Sequence, residues 1–180
     1  LHADAAVYYV RVRDLQLSVM AGDYGYGRQM INAGRSSSCG LELSLRGTAL
    51  DNRFTWAATY GYTHSQLLDY ADNQVPFIPT HTFSAMTDYR IGKFTFGLNV
   101  AGNGPTYWDV DNEYRQKLYA TLGAHAMVDF GCIKLNVWGR NLTDTKYNTM
   151  LVNSSIDGTN RSFAQQGNPL QVGADLIMHF

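Results

Sequence analysis

The segment Leu170–Phe180 alternates apolar and polar side chains, with Ile177 as its one exception. A repeat of two is typical of a β-strand, because successive side chains point to opposite faces. At about 3.3 Å per residue the segment spans about 30–35 Å, close to what a tilted strand needs to cross a bilayer. A long strand with one apolar and one polar face predicts a membrane barrel.

The same alternation returns between turn-forming residues along the whole chain, and it predicts about eight strands. They are expected around 5–19 and at 41–45, 54–63, 80–89, 94–100, 118–130, 133–138 and 170–180. Short connections near 48–53, 90–93 and 131–132 alternate with long polar ones near 20–38, 69–79, 102–114 and 148–168. Short turns on one rim and long loops on the other predict an all-β, antiparallel, up-and-down barrel with periplasmic turns and external loops.

Composition agrees with a barrel and excludes two other classes. Charged residues make up 16% of the chain, against about 25% in soluble domains, and aromatic residues make up 13%. The mean hydropathy is nevertheless negative, and no apolar run approaches the length of a transmembrane helix. The net charge of −1 with scattered Lys and Arg gives no reason to expect a nucleic-acid partner.

Searches for chemical motifs predict no catalytic residue, no metal site and no cofactor. The five histidines show no HxH or HExxH spacing, and the glycines at 25 and 27 lack a third glycine. Cys39 and Cys132 form no CxxC pair; two independent small apolar residues are favoured over a disulfide.

An ordered set of motifs carries a family resemblance. The segment 138–147 contains Asn-Leu-Thr-Asp followed by Tyr, and 165–169, Gly173 and a terminal Phe follow it. Upstream, the pieces 32–34, 40–43, 61–62, 69–70, 75–79, 88–89 and 107–109 continue the match in order. The chain resembles the C-terminal part of the β-barrel of TonB-dependent outer-membrane receptors.

The resemblance implies that residues 1–180 are a C-terminal segment of a barrel of about 22 strands. We therefore expect the plug domain and the signal peptide to be absent from this chain. The implied function is energy-coupled uptake of an iron-siderophore, a cobalamin or a glycan across the outer membrane of a Gram-negative cell. The implied partners are outer-membrane lipid, the barrel assembly machinery, the remainder of the barrel and, through the missing plug alone, TonB.

Site residues follow from the loops and from the family motifs. Aromatic and charged residues of the long loops are the candidate ligand contacts, since they give contact area and orientation at modest entropic cost. These candidates are Tyr24, Tyr26, Arg28, Tyr107, Trp108, Asp109, Asp111, Asn112 and Arg161. Phe180 resembles the terminal aromatic signal for barrel assembly. The structural motif residues are Asn141, Leu142, Thr143, Asp144, Tyr147, Gly167 and Pro169.

Two other classes stay open at the level of sequence. Eight strands are enough to close a small barrel, which would make the chain a small outer-membrane protein or a lipocalin-like carrier of an apolar ligand. A soluble carrier would place the apolar side chains of Leu41, Phe96 and Leu122 inside. An outer-membrane esterase or protease is disfavoured because no Ser/His/Asp set is identifiable by motif.

Overall fold

The protein is built from antiparallel β-strands, and the computed structural model describes residues 1–20, 28–156 and 159–178. Its strands are β1 (His2–Val12), β2 (Gln16–Met20), β3 (Arg28–Asn32), β4 (Ser36–Ala49), β5 (Phe54–Leu67), β6 (His81–Ile91), β7 (Phe94–Gly104), β8 (Thr106–Tyr107), β9 (Arg115–Gln116), β10 (Tyr119–Asp129), β11 (Ile133–Arg140), β12 (Asn148–Ile156), β13 (Thr159–Gln166) and β14 (Gln171–Met178). Within these ranges, no helix has the length and apolar character that crossing a membrane would require.

Eight of these strands form one sheet in the order β1-β4-β5-β6-β7-β10-β11-β14. Every neighbouring pair is antiparallel and adjacent in the chain once the small hairpins are set aside. The remaining six strands form three separate hairpins, β2–β3, β8–β9 and β12–β13. The predicted all-β, up-and-down arrangement of about eight strands is confirmed.

The connections also alternate as predicted. Residues 50–53, 92–93 and 130–132 make the short turns of one rim, and 13–35, 68–80, 105–118 and 141–170 make the long loops of the other. In the first turn, Asp51 and Asn52 take left-handed φ angles of 54° and 63°. Asp and Asn tolerate this conformation better than most residues, so the turn sequence suits its geometry.

The strand register places the alternating apolar residues of the paired strands on the same face across the whole sheet. A single cross-strand row joins Tyr89, Phe96, Ala126, Val137 and Ala174. Within the described ranges, these apolar side chains lie against no second layer of the protein. The same face holds side chains as exposed as 57% for Leu98 and 58% for Leu176. It is an apolar surface that needs an apolar environment, as a lipid-facing barrel wall does.

Aromatic side chains concentrate toward both ends of the apolar face. Phe54, Trp56 and Phe94 lie toward the short turns, whereas Tyr60 and Tyr62 lie toward the loops. Phe54 and Tyr62 are about 26 Å apart along β5, or about 20 Å along the membrane normal at a tilt of about 40°. Two aromatic belts around a band of this height are typical of outer-membrane barrels.

The opposite face is polar, and its side chains bridge neighbouring strands. His125 Nε2 lies 3.3 Å from Asp88 Oδ1 across Gly97, which stands between them in the register. A Cβ atom at Gly97 would overlap both side chains, so glycine lets them meet over the middle strand. Trp138 pairs with His125 on this same face.

One predicted strand boundary is wrong. A single strand was expected around 5–19, but β1 ends at Val12 and β2 begins at Gln16. The chain bends at Asp14, where φ is 57°, and Leu15 exchanges backbone hydrogen bonds with Ala33 and Gly34 at the loop rim. These partners are distant in sequence, so the alternation of 5–19 carries no sign of the break.

Strands β1 and β14 are the edges of the sheet and do not pair with each other within the described residues. The sheet is therefore an open arc of a barrel and encloses no apolar interior. Cys39 lies exposed on β4 and Cys132 lies exposed in a short turn on the opposite rim.

The apolar face yields a direct prediction about membrane insertion. Leu122→Arg places a cation in the apolar band and should destabilise the inserted protein by about 2 kcal/mol, with a lower folded fraction in bilayers. Thr121→Arg places the same cation one residue away on the polar face and should leave the folded fraction unchanged. Urea unfolding of both variants in lipid vesicles measures the difference, and equal destabilisation would contradict the assignment of faces.

Candidate functional site

The loop rim contains the buried apolar cluster of the described residues. Ala33, Leu67 and Val75 are its buried members, and Leu67 has no exposed surface. Partly buried side chains from three of the long loops pack against them: Leu15, Leu17, Tyr70, Ile78 and Val110. Because apolar burial is the main stabilising term in folding, these loops pack together as one unit.

Side-chain hydrogen bonds lock loop 68–80 to loop 105–118. Asn112 Oδ1 accepts from the Gln74 N–H at 2.7 Å, and Asn112 Nδ2 donates to the Gln74 carbonyl at 3.0 Å. Asn73 Nδ2 donates to the Val110 carbonyl at 2.9 Å. An amide side chain that hydrogen-bonds to both the N–H and the carbonyl of one residue fixes the spacing between two segments, as the backbone hydrogen bonds between paired strands do.

An ion pair ties loop 13–35 to loop 68–80. The Arg35 guanidinium lies 2.6 Å from Asp69 Oδ1, and the Arg35 backbone N–H donates to Asp69 Oδ2 at 2.7 Å. These hydrogen bonds from Arg35 hold the pKa of the Asp69 carboxyl below its ordinary value, while the carboxylate raises the pKa of Arg35. The contact is exposed, and its role is to position the loop.

All four long loops meet at a cleft of about 530 Å³, which we call the loop cleft. The loops contribute both apolar and polar side chains to its walls. The lining residues are Gln16, Leu17, Ser18, Gln29 and Ile31 from β2–β3, Phe77 from loop 68–80, Trp108–Asp111 and Tyr114 from loop 105–118, and Met150–Val152 from β12. Convergence of separate segments on one concave surface is typical of a ligand site.

Three of the predicted ligand contacts line the loop cleft, namely Trp108, Asp109 and Asp111. The Trp108 ring meets Phe77 edge to face with centroids 5.7 Å apart. Asp109 is engaged within its own loop, because its two oxygens accept the N–H groups of Glu113 and Tyr114 at 3.1 and 2.9 Å. Asp111 is an exposed carboxylate at the cleft.

The other predicted contacts lie elsewhere in the structure or outside the described residues. Asn112 makes the hydrogen bonds to Gln74 that join the two loops. The Tyr107 ring centroid lies 5.8 Å from the Arg115 guanidinium. Arg161 is exposed on β13 and does not line the loop cleft. Tyr24, Tyr26 and the terminal Phe180 lie outside the described residues, as does the side chain of Arg28, whose backbone begins β3.

Sequence reasoning missed several lining residues, including Phe77, Tyr114 and Met150. Phe77 carries a usable signal, since it is a large aromatic side chain in a loop otherwise rich in polar residues and proline. Met150 belongs to a segment predicted as loop that is strand β12. Its place in the cleft depends on how hairpin β12–β13 folds over the rim.

The family motif at 141–169 makes a tight structural corner between β11 and β14. Asn141 is buried; its Nδ2 donates to the carbonyls of Thr145 and Asn168 at 3.0 and 2.9 Å, and its Oδ1 accepts from the Thr145 N–H at 2.9 Å. Asp144 Oδ1 accepts from the Leu170 N–H at 3.1 Å. These contacts explain the Asn and Asp of the motif.

The aromatic end of the motif supports the same corner. The Gly167 N–H donates to the Tyr147 carbonyl at 2.8 Å, and the Tyr147 ring lies where a Cβ of residue 167 would stand. On its other side Tyr147 stacks on Tyr119 with ring centroids 4.1 Å apart. Glycine at 167 thus makes room for the ring.

A second cleft of about 510 Å³ lies beside this tyrosine pair and has a different chemistry. Its described lining includes three cations, Arg115, Lys117 and Lys146, and no carboxylate. We call it the basic cleft. It shares no lining residue with the loop cleft. Among the described residues, no group of three or more His, Cys, Asp or Glu side chains could hold a metal ion.

Removing the buried amide of the motif should loosen the β11–β14 corner. Asn141→Ala leaves the Thr145 N–H and two carbonyls without their partner and should cost about 2–3 kcal/mol of unfolding free energy. Gln171→Ala, an exposed position at the start of β14, should cost less than about 0.5 kcal/mol. Urea unfolding in vesicles compares the two, and similar costs would contradict the bracing role of Asn141.

The Arg35–Asp69 contact should depend on pH. The pKa of Asp69 is depressed in the folded state, so the contact contributes fully above the ordinary carboxyl pKa of about 3.9 and is lost as the pH falls through the folded value. Amide exchange of residues 66–71, corrected for intrinsic rate, should therefore be faster at pH 3 than at pH 5. Asp69→Asn should remove this difference; its persistence would assign the effect to another group.

Comparisons with known proteins place the chain in a family. The family described as TonB dependent receptor-like, beta-barrel, matches residues 1–142. The pesticin receptor of Yersinia enterocolitica is 30% identical over 154 residues, which are 81% of this chain and 22% of that protein. The chain thus spans about a fifth of the length of this relative.

Solved structures show the same architecture over nearly the whole chain. The ferric yersiniabactin uptake receptor FyuA from Yersinia pestis superposes with a TM-score of 0.83 at 24% identity, covering 99% of this chain and 27% of that one. The siderophore receptor PiuA from Acinetobacter baumannii gives a TM-score of 0.69 at 21% identity, covering 98% of this chain and 26% of its own. The predicted resemblance is confirmed: the chain belongs to the family of TonB-dependent receptor β-barrels.

Proposed function

We propose that the chain is the C-terminal part of the barrel of an outer-membrane receptor that takes up an iron-siderophore with energy delivered through TonB. Family membership supports the receptor class, and the relatives named above as a ferric yersiniabactin uptake receptor and a siderophore receptor support the cargo. Cobalamin and glycan uptake have no comparable support. The proposal includes no catalytic step.

The loop cleft is the observation that carries the proposal. It lies at the end of the sheet where all four long loops converge, beyond the apolar face that suits lipid. A concave site at the external rim of the barrel is accessible to solutes before they enter the barrel. Its packed core and hydrogen-bonded loops hold this shape in advance, which lowers the entropic cost of binding.

The proposed partners follow from the surfaces that the arc leaves open. In the described part of the chain, strands β1 and β14 each present an unpaired edge, and in lipid an unpaired backbone group costs several kcal/mol. We assign these edges to the remaining strands of the same receptor. The polar face would then line the lumen, where a plug domain supplied by another part of the receptor would reach TonB. Lipid contacts the apolar face, and the assembly machinery engages Phe180.

A self-contained barrel has less support. Closing eight strands requires the two edge strands to pair, and β1 and β14 do not pair within the described residues. A soluble carrier would also need to enclose its alternating apolar side chains, whereas Leu98 and Leu176 are exposed on an open face.

Uptake by cells tests the proposal. In a strain that expresses this receptor and lacks other siderophore receptors, Phe77→Ala should remove part of the cleft wall and reduce uptake of radiolabelled ferric siderophore at limiting concentration by about tenfold. Met30→Ala truncates an exposed side chain on β3 that does not line the cleft, and should leave uptake unchanged. Dissipating the proton gradient should stop uptake by both. Iron uptake that is unaffected by loss of the receptor would contradict the function itself.

A further inference from the structure

We propose that the apolar face carries a site for an anionic phospholipid, with an acyl chain in a groove of the sheet and the headgroup phosphate on Lys93. The site requires the membrane placement of the proposed receptor but no particular cargo. A groove, a motif residue and a cation carry the proposal, and none of them belongs to the loop cleft.

The apolar face contains a groove of about 630 Å³, which we call the wall groove. Its lining combines the small side chains of Ala124 and Ala126 on β10 with the large ones of Phe96 and Leu98, their cross-strand partners on β7. Small side chains beside large ones leave a depression in the surface. The residues that line it from the apolar face carry no charge, so the groove suits a hydrocarbon chain.

Leu142 of the family motif borders the wall groove toward the loops. Its N–H donates to the Leu122 carbonyl at 2.7 Å, which holds the motif beside β10. The Leu142 side chain lies over Gly139, where a Cβ atom would stand. It remains 40% exposed and lines the groove, so the leucine of the motif adds apolar surface where lipid would contact it.

Lys93 lies on the apolar side of the rim of short turns. Its ammonium is 5.6 Å from the centroid of the Phe130 ring, and Phe130 continues the alternation of Ala126 and Val128 on the apolar face. A lysine at a membrane edge keeps its charge at the level of the headgroups while its stem covers apolar surface. The cation is therefore placed to contact a lipid phosphate.

A pair of aromatic rings joins this cation to the wall groove. Phe94 and Phe96 stack with centroids 6.3 Å apart, and Phe96 lines the groove. From Lys93 to Phe96 the chain advances about 10 Å, so a headgroup on Lys93 places its acyl chains at the groove. A zwitterionic lipid balances its phosphate with its own cation, so the lysine favours a lipid with net negative charge.

Retention of lipid by the purified receptor that contains this chain tests the headgroup position. The detergent-solubilised receptor is mixed with equal amounts of dioleoyl phosphatidylglycerol and dioleoyl phosphatidylcholine, and native mass spectrometry counts each bound lipid. The wild-type receptor should retain phosphatidylglycerol about fivefold better, and Lys93→Gln should remove this preference. Arg90→Gln removes an exposed cation from the polar face near the same rim and should leave the preference unchanged.

A matched pair of leucine substitutions tests the groove. Ala126→Leu fills it and should weaken retention of both lipids by about fivefold, whereas Ala85→Leu, the same change on the apolar face outside the groove, should have less than about a twofold effect.

Equal retention of the two lipids by the wild-type receptor, or equal effects of the two leucines, would overturn the lipid site. Self-association of the receptor that Ala126→Leu abolishes would assign the groove to a second copy instead. Lys93 and Ala126 do not line the loop cleft, so either result would leave the proposed uptake standing.

Discussion

The register of the eight-stranded sheet is the constraint on which the other features depend. A slip of one residue between any two strands would move apolar side chains from one face to the other, because the side-chain repeat is two. The row from Tyr89 through Phe96, Ala126 and Val137 to Ala174 shows that no such slip occurs across five strands. Short turns fix this register on one rim, which leaves the opposite rim free to carry long loops.

A sheet with lipid on one face and a lumen on the other has no interior of its own. The packing that a soluble domain places at its centre appears here at the loop rim, around Leu67, Ala33 and Val75. The rim therefore has two roles, since the burial that stabilises the loops also sets the shape of the loop cleft. Polar ties such as Asn112 to Gln74 and Arg35 to Asp69 complete this preorganisation.

The strands could be predicted because alternation and turn chemistry are local properties of the sequence. The break after Val12 could not, since it depends on hydrogen bonds from Leu15 to residues 33 and 34. Hairpin β12–β13 was predicted as loop because its polar Asn, Ser and Thr residues hide the repeat of two. Part of the lining of the loop cleft could also be predicted. Trp108 and Asp111 line the cleft, whereas Asn112 and the oxygens of Asp109 serve the backbone, which residue type alone does not reveal.

The open edges connect the sheet to the candidate site. Strands β1 and β14 need partners wherever lipid surrounds them, because hydrocarbon offers no hydrogen bonds to an exposed ladder. In the proposed receptor, the strands that meet this need bring their own loops to the same rim, on both sides of the loop cleft. In that receptor the four loops of this chain would form one wall of a larger site, and Asp109 and Asp111 place two carboxylates in that wall.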